Sequence, residues 1–311
     1  MLRWVVVPAI ALGMLLVVPL GLRLLAAPGV GVLRRVWPWA GVAGVGSLLL
    51  PTGVGAAAVA VPYAAVTLAL VGVAAVRFAR TLGAGRLGVL SRASVRAGAG
   101  AARGLPAVAG EIAVLTALVT PSIAGLSLIA ERGGWTLLAF GPKILLLTVA
   151  HFHYAGFAAA LVASLVTRLP DAGRASVFGA LTVPTGTLLV LIGFFAGELV
   201  ELAGAVVLTA GMWVVGALTW RARSLAPDRA NRVLFAVSAA VLVVTMALAL
   251  DWALGEAFGV PKLSLTWMAA THGVLNAVGF GLCGVLAWNG LRAADDVSAA
   301  APAGRTHPVA S

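Results

Sequence analysis

The histidines are the residues whose type and spacing point most directly to chemistry. His151 and His153 lie two residues apart in the run AHFHYAGF, and His272 opens the run HGVLNAVGF. Each run lies in a long apolar segment, where ionisable groups are costly unless they face an interior site or water. The two segments therefore predict a polar site inside a membrane.

Helical geometry relates these histidines to one another. His151 and His153 project about 200° apart around a regular helix, so they cannot both ligate one ion. One of them is expected to share a site with His272, while the other binds a different partner or a neighbouring carbonyl. Because His153 lies on the same face as the small residue Gly156, and His272 is followed by Gly273, we expect the two helices to pack closely with His153 next to His272. His151 should then act independently of His153 and His272.

Polar neighbours extend this candidate site. Asn276 lies one helical turn after His272 and Tyr154 directly follows His153. Side chains of these types can bind a small ligand or relay a proton. The alternative is that they only hydrogen-bond between helices. The candidate ligand-binding or proton-relay residues are His151, His153, Tyr154, His272, Asn276 and Glu111.

The acidic residues divide into two groups. Glu111 falls inside an apolar segment, so it should be protonated or paired with a cation or a histidine. Glu198 and Glu201 lie three residues apart at a turn between two segments. They are secondary site candidates, with solvated loop residues as the alternative.

The composition explains why such a site would be embedded in lipid. Of 311 residues, 61% are hydrophobic and 10% charged, which is too little charge for a water-facing surface. About nine runs are long enough to approach the roughly 20 residues that a membrane helix needs. The sequence thus predicts an all-α, polytopic transmembrane bundle of eight to nine spans. The predicted segments are 4–22, 36–50, 55–76, 105–130, 142–166, 176–195, 199–220, 233–250 and 265–288.

Two of these segments have an alternative interpretation. The second is short and glycine-rich and ends at Pro51, so a re-entrant or broken segment is the other reading. The first has features of a signal peptide, but its apolar run is longer than is typical and leads directly into further membrane segments. We interpret 1–292 as the transmembrane domain and 293–311 as a disordered tail rich in Ala and Pro.

The basic residues predict the orientation. Six arginines and no acidic residue lie in the linker 77–104, whereas the opposite loops contain Glu131, Arg132 and Lys143 among others. An excess of Lys and Arg marks the cytoplasmic side. We therefore expect a bacterial inner-membrane protein with its N-terminus outside and its C-terminus in the cytoplasm. His151 and His272 would then lie at the same depth, about 11–14 Å below the outer boundary.

The two histidine runs also carry a resemblance. HFHYAGF and HGxxNAxGF resemble the YndJ-like family of bacterial multi-pass membrane proteins, over about 101–288. The resemblance implies a transporter-like protein without a settled activity. We expect no resident cofactor, although haem is the open alternative.

A more distant resemblance gives the alternative function. VAHFHY is similar to the helix of haem–copper oxidase subunit I in which two histidines ligate different haems. This chain has too few histidines for oxidase activity. A haem-binding redox protein stays open, with His151 or His153 on one side of the haem and His272 on the other, as does a metal held by His153 and His272.

Several classes of function are excluded. The net charge of +11 is spread between apolar segments and does not form a nucleic-acid surface. The single cysteine, Cys283, cannot form an intrachain disulfide. No phosphate-binding loop, paired metal histidines on one helix or nucleophile elbow is present. The sequence therefore predicts a membrane transporter or small-ligand-binding protein, not an enzyme, with the lipid bilayer and an unknown small molecule as partners.

Overall fold

The computed structural model describes residues 2–83, 98–171 and 173–300, and these residues form a bundle of nine long helices without a β-strand. Long apolar runs become helices because lipid offers no partners for backbone N–H and C=O groups. The predicted all-α polytopic fold is thereby confirmed. The helices are α1 Leu2–Arg23, α2 Val30–Leu49, α3 Val54–Gly83, α4 Gly98–Gly133, α5 Pro142–Val166, α6 Gly173–Ala196, α7 Glu198–Ala222, α8 Arg229–Phe258 and α9 Leu265–Ala300.

Contacts between helix ends define two faces of the bundle. We call the first the Arg3 face. Here Arg3 donates to the Glu131 carboxylate at 2.9 Å and to the carbonyl of Leu48 at 3.3 Å. At the second, the Arg77 face, Arg77 donates to the carbonyl of Ala26 at 2.9 Å. These contacts place the start of α1 beside the ends of α2 and α4, and the end of α1 beside the end of α3.

The second helix runs between the same two faces. Eight helices are long and apolar enough to cross a membrane, and α2, which carries Arg34 and Arg35 near its start, is not among these eight. Its 20 residues nevertheless form a continuous helix, long enough for roughly 30 Å. The predicted eight to nine spans are confirmed. Segment 36–50 lies in a continuous helix, so the broken form of this segment is wrong.

The two ends of the described bundle lie on opposite faces. Arg292, near the end of α9, donates to the carbonyl of Arg23 at the end of α1. The beginning of α1 lies at the Arg3 face, so the end of α9 lies at the Arg77 face. This arrangement agrees with an odd number of passes.

An ion cluster is buried at the Arg3 face. The side chains of Glu131 and Arg132 are only 4% and 1% exposed, and Arg132 donates to both carboxylate oxygens of Glu131 at 2.5 and 2.7 Å. Arg132 also donates to the carbonyls of Ser47 and Leu50, which caps the end of α2. The sequence-based placement of these two residues in a loop is therefore wrong, because α4 continues through both.

The helices also extend into the predicted linker and tail. The third helix ends at Gly83 and α4 begins at Gly98, while the linker arginines Arg86, Arg92 and Arg96 lie outside the described residues. The last helix continues to Ala300, into the segment 293–311 for which a disordered tail is predicted. Residues 301–311 lie outside the described part of the chain.

The fifth helix lies in the interior of the bundle, where it contacts α1, α4, α6 and α9. All of its residues from Ala159 to Val166 are buried. Small side chains allow this, because Gly110 of α4 lies against Thr167 and Gly156 lies against Thr120 of α4. The helix that carries two of the candidate histidines is thus fixed by neighbours on several sides.

Candidate intramembrane histidine site

Three helices of the bundle change from α-helical to π-helical geometry, and they meet where they change. The π-helical segments are Gly13–Val17 in α1, Phe152–Ala158 in α5, and Ala269–Gly273 and Leu275–Leu282 in α9. The segments of α1 and α5 contact each other, and both contact Leu275–Leu282. Turns of this kind are rare in proteins, and those that occur often lie at functional sites.

Side chains from neighbouring helices bind carbonyls in these widened turns. The indole N–H of Trp37 donates to the carbonyl of Met14 at 2.7 Å, and the Ser238 hydroxyl donates to the carbonyl of Phe280 at 3.1 Å. A backbone carbonyl buried away from water needs such a partner. These contacts therefore help to compensate for the altered helical hydrogen bonding.

His153 is fully buried and both of its ring nitrogens have partners. Nδ1 lies 2.5 Å from the carbonyl of Val149, and Nε2 is hydrogen-bonded to the Tyr63 hydroxyl. Because a carbonyl only accepts, Nδ1 carries the proton, and the Tyr63 hydroxyl donates to Nε2 of the neutral ring. The ring packs on Gly13, where an added Cβ would lie 2.8 Å from its Cβ and Cγ atoms.

Tyr154 joins three helices. Its hydroxyl donates to the carbonyl of Ala9 in α1 at 2.6 Å, and its ring packs on Gly281 of α9. The predicted packing of α5 against α9 is thereby confirmed. The contact is made by Tyr154 and not by the histidine that precedes it.

His272 is held in the same tautomer as His153. Its Nδ1 donates to the carbonyl of Thr245 in α8 at 2.8 Å, and its Nε2 accepts from the amide of Asn276 at 3.2 Å. The spacing of four residues places His272 and Asn276 on one helix face, as predicted. His272 and Asn276 are both partly exposed.

His151 differs from the other two membrane histidines. It is exposed, it makes no hydrogen bond within the described part of the chain, and its ring contacts that of Phe152 edge-on. It lies close enough to His272 for an electrostatic interaction. Both helices begin at the Arg3 face, so His151 and His272 lie roughly 14 and 11 Å along their helices. Their predicted common depth agrees with this placement.

The ring nitrogens of His153 and His272 are bound to separate partners, so the predicted contact between these two histidines is not formed. The electrostatic interaction of His272 is with His151. The prediction took the small residues of α5 and α9 as facing each other. Gly156 instead faces α4, and Gly273 has no neighbouring atom within 4 Å of an added Cβ. The π-helical turns also change the angle between successive side chains, so projection around a regular α-helix does not apply.

Glu111 lies away from the histidines, at the Arg77 face. Both of its carboxylate oxygens accept from Arg77, at 2.5 and 2.8 Å. The expectation that a cation pairs with Glu111 is confirmed. The structure does not bring this residue to the histidine site.

Glu198 and Glu201 lie in the first turn of α7, where the helix dipole favours negative charge. Glu201 is partly exposed and packs against Gly193 of α6. It interacts electrostatically with Glu198 and with Glu256, which is paired with Lys262 at 2.7 Å. Neither secondary candidate contacts a histidine among the contacts described above.

Sequence reasoning missed Tyr63 and Thr245. Tyr63 is one of only two tyrosines in the chain, and both make hydrogen bonds around the π-helical turns. That scarcity was a usable signal. Thr245 contributes its backbone carbonyl, which no sequence pattern reveals.

The described residues contain no group of three or more His, Cys, Asp or Glu side chains that could hold a metal ion. The Nε2 atoms of His153 and His272 accept hydrogen bonds from Tyr63 and Asn276. Axial ligation of a haem through these two atoms would require both bonds to break. The geometry therefore does not favour the haem alternative.

Comparison with known proteins gives two matches. A family model described as YndJ-like protein matches residues 8–280. The chain is also similar to the uncharacterized membrane protein YndJ of Bacillus subtilis (strain 168), with 25% identity over 180 residues. The matched region is 57% of this chain and 32% of that relative, so the match covers about a third of the relative's length. No solved structure matches the chain.

Proposed function

We propose, from the premise that this chain belongs to the YndJ-like family of multi-pass membrane proteins, that it is a transporter-like protein which binds a small polar solute between His151 and His272. The observation that carries this proposal is the exposed ring of His151, which has no hydrogen-bond partner within the described residues. Glu111, Glu198 and Glu201 are not part of this binding site.

The cost of an unpaired polar group in hydrocarbon supports a ligand here. An imidazole at this depth that faced only lipid would lose its hydrogen bonds to water without gaining others. His153 and His272 avoid this loss through their fixed partners. His151 has no such partner, so a bound solute or water would supply it.

The polar groups of His151 and of the His272–Asn276 pair indicate the chemistry of the solute. A neutral His151 ring offers one donor and one acceptor, and the carboxamide oxygen of Asn276 offers a further acceptor. The His272 nitrogens are engaged, so this residue positions Asn276. A small uncharged or zwitterionic solute with both donors and acceptors fits this set.

The distribution of arginine supports an orientation in the inner membrane. Arg77 and Arg168 lie at the Arg77 face, as do the arginines at the junction of α7 and α8, such as Arg221 and Arg229. Under the positive-inside rule this face is cytoplasmic. The exposed His151 would then lie nearer the outer side, so a solute would enter from the periplasm.

Transport by proteoliposomes tests the proposal. A pH-sensitive dye and radiolabelled solutes report uptake when zwitterionic amino acids and uncharged sugars are supplied one at a time. We expect uptake of at least one solute class by the unsubstituted protein. His151→Ala and Asn276→Ala should lower this uptake strongly, because each removes a ligand-facing group.

The matched control removes the fourth histidine, His307, which lies outside the described bundle. The His307→Ala protein should keep full uptake. Equal uptake by the His151→Ala and His307→Ala proteins, or no uptake above that of empty vesicles for every solute class, would contradict the proposed function.

A further inference from the structure

A lateral groove lies between α1 and α2, separate from the histidine site. Its volume is about 240 Å³ and it is partly open to the surface. Apolar side chains form most of its lining, among them Leu15, Leu16, Pro19, Pro38 and Val42. The groove therefore opens toward the hydrocarbon region of the bilayer.

Trp37 gives this groove a fixed floor. Its side chain lines the groove yet is fully buried, and its indole N–H is bound to the carbonyl of Met14. The walls are exposed, with Leu16 at 46% and Val42 at 61% exposure. A rigid floor with open apolar walls is suited to an extended hydrocarbon chain.

Positive charge lies at one end of the groove. Arg23, at the end of α1, is part of the lining, and Arg34 lies one helical turn before Pro38 on the same face of α2. Both arginines are exposed and neither side chain has an ion-pair partner among the described residues. They lie toward the Arg77 face, where helix ends meet the headgroup region.

We propose that this groove binds an anionic phospholipid, with one acyl chain along the apolar walls and the phosphate between Arg23 and Arg34. The groove has apolar walls and a positively charged end, which match the acyl chain and the negatively charged headgroup of such a lipid. Guanidinium groups bind phosphate with two parallel hydrogen bonds. Basic pockets between membrane helices bind anionic headgroups by the same chemistry.

The selectivity of this site should come from the headgroup. Lipid tails are as apolar as the leucine side chains of the groove, so the groove contacts do not discriminate between lipids with identical chains. A basic residue near the surface attracts an anionic lipid by an amount equivalent to roughly fivefold in affinity. The two arginines together should favour an anionic over a zwitterionic lipid with identical chains.

Native mass spectrometry of the full chain released from detergent measures this preference. Dioleoyl phosphatidylglycerol and dioleoyl phosphatidylcholine are offered at equal concentration. We expect preferential retention of phosphatidylglycerol, and a loss of roughly fivefold in that preference for Arg23→Gln and for Arg34→Gln. The control Arg232→Gln, which removes another exposed arginine of the same face, should keep the preference.

A second pair of variants tests the groove itself. Val42→Trp should fill it and lower retention of phosphatidylglycerol. Val32→Trp, on the same helix at 63% exposure but outside the groove lining, should not. Equal retention of phosphatidylglycerol and phosphatidylcholine by the unsubstituted protein would overturn the proposal. Equal losses in each groove variant and its matched control would also overturn it. Displacement of the lipid by soluble glycerol 3-phosphate at millimolar concentration would also overturn it, because the acyl chain would then contribute nothing.

Discussion

At the scale of single residues, the three membrane histidines have different environments although two of them are separated by one residue. His153 and His272 are fixed as neutral rings by carbonyl acceptors and by Tyr63 and Asn276. His151 is exposed and has no hydrogen bond within the described residues. An accessible nitrogen lone pair is needed for an imidazole to react or to bind a ligand.

Chemical modification distinguishes these environments. Diethyl pyrocarbonate reacts with an accessible, unprotonated imidazole nitrogen, so we predict that His151 is modified faster than His153 in the folded protein. Peptide mass spectrometry after a short treatment in detergent measures both sites. The same treatment after denaturation is the control, because it should make the two rates similar. Faster modification of His153 in the folded state would contradict this description of the site.

At the scale of the elements, close approach of α1 and α5 depends on a glycine at the widened turn. Gly13 lies against the His153 ring, and no side chain fits between them. Gly31 in α2 has no atom within 4 Å of an added Cβ. The two glycines are therefore suitable as a test position, which is crowded, and a control position, which is open.

Substitution by alanine should separate their roles. Gly13→Ala forces a Cβ into contact with His153, and overpacking of this kind costs about 1–3 kcal/mol. Gly31→Ala should leave stability unchanged or raise it by up to about 1 kcal/mol, because alanine favours the helix. Thermal unfolding in detergent measures both effects. An equal change in the two variants would show that the α1–α5 contact is looser than described.

At the scale of the whole molecule, buried charge joins the helix ends at the Arg3 face. Arg132 is almost fully buried and holds Glu131 as well as the end of α2, whereas the side chain of Arg3 is 48% exposed. Removing one partner of a buried ion pair leaves an uncompensated charge. Removing the exposed partner leaves the buried pair intact.

The two arginines should therefore differ in their effect on stability. We predict that Arg132→Ala destabilises the protein by about 3–5 kcal/mol. Arg3→Ala should cost about 1 kcal/mol or less, because solvent weakens an exposed ion pair. Unfolding in detergent with increasing denaturant compares the variants. Similar losses for both would be inconsistent with a buried Arg132–Glu131 pair.

The orientation of the bundle in the membrane is also a property of the whole molecule. In a Cys283→Ser background, Trp135→Cys places a thiol at the Arg3 face and Leu225→Cys places one at the Arg77 face, at positions 49% and 45% exposed. We predict that only the cysteine at 135 reacts with a membrane-impermeant maleimide in intact cells from which any outer membrane has been made permeable. Lysed cells are the control, in which both should react. Labelling of the cysteine at 225 in intact cells would reverse the proposed topology.

The sequence by itself determined the fold class, the approximate membrane segments and which polar residues lie within them. These follow from local properties, because a run of about 20 apolar residues must form a helix in lipid and polar residues within it are few. The match in depth between His151 and His272 also followed, since it depends only on counting residues along each helix. The resemblance of HFHYAGF and HGxxNAxGF to the YndJ-like family was confirmed by the family match over 8–280.

Only the tertiary structure decided which histidine is available to a ligand. The π-helical turns near His153 and His272 alter the direction of side chains, and an apolar run does not reveal them. The partners that fix the rings come from α3 and α8, far along the chain, and one of them is a backbone carbonyl. Burial of Arg132 likewise depends on where α2 ends. Sequence patterns describe single helices, whereas these outcomes depend on how separate helices pack against one another.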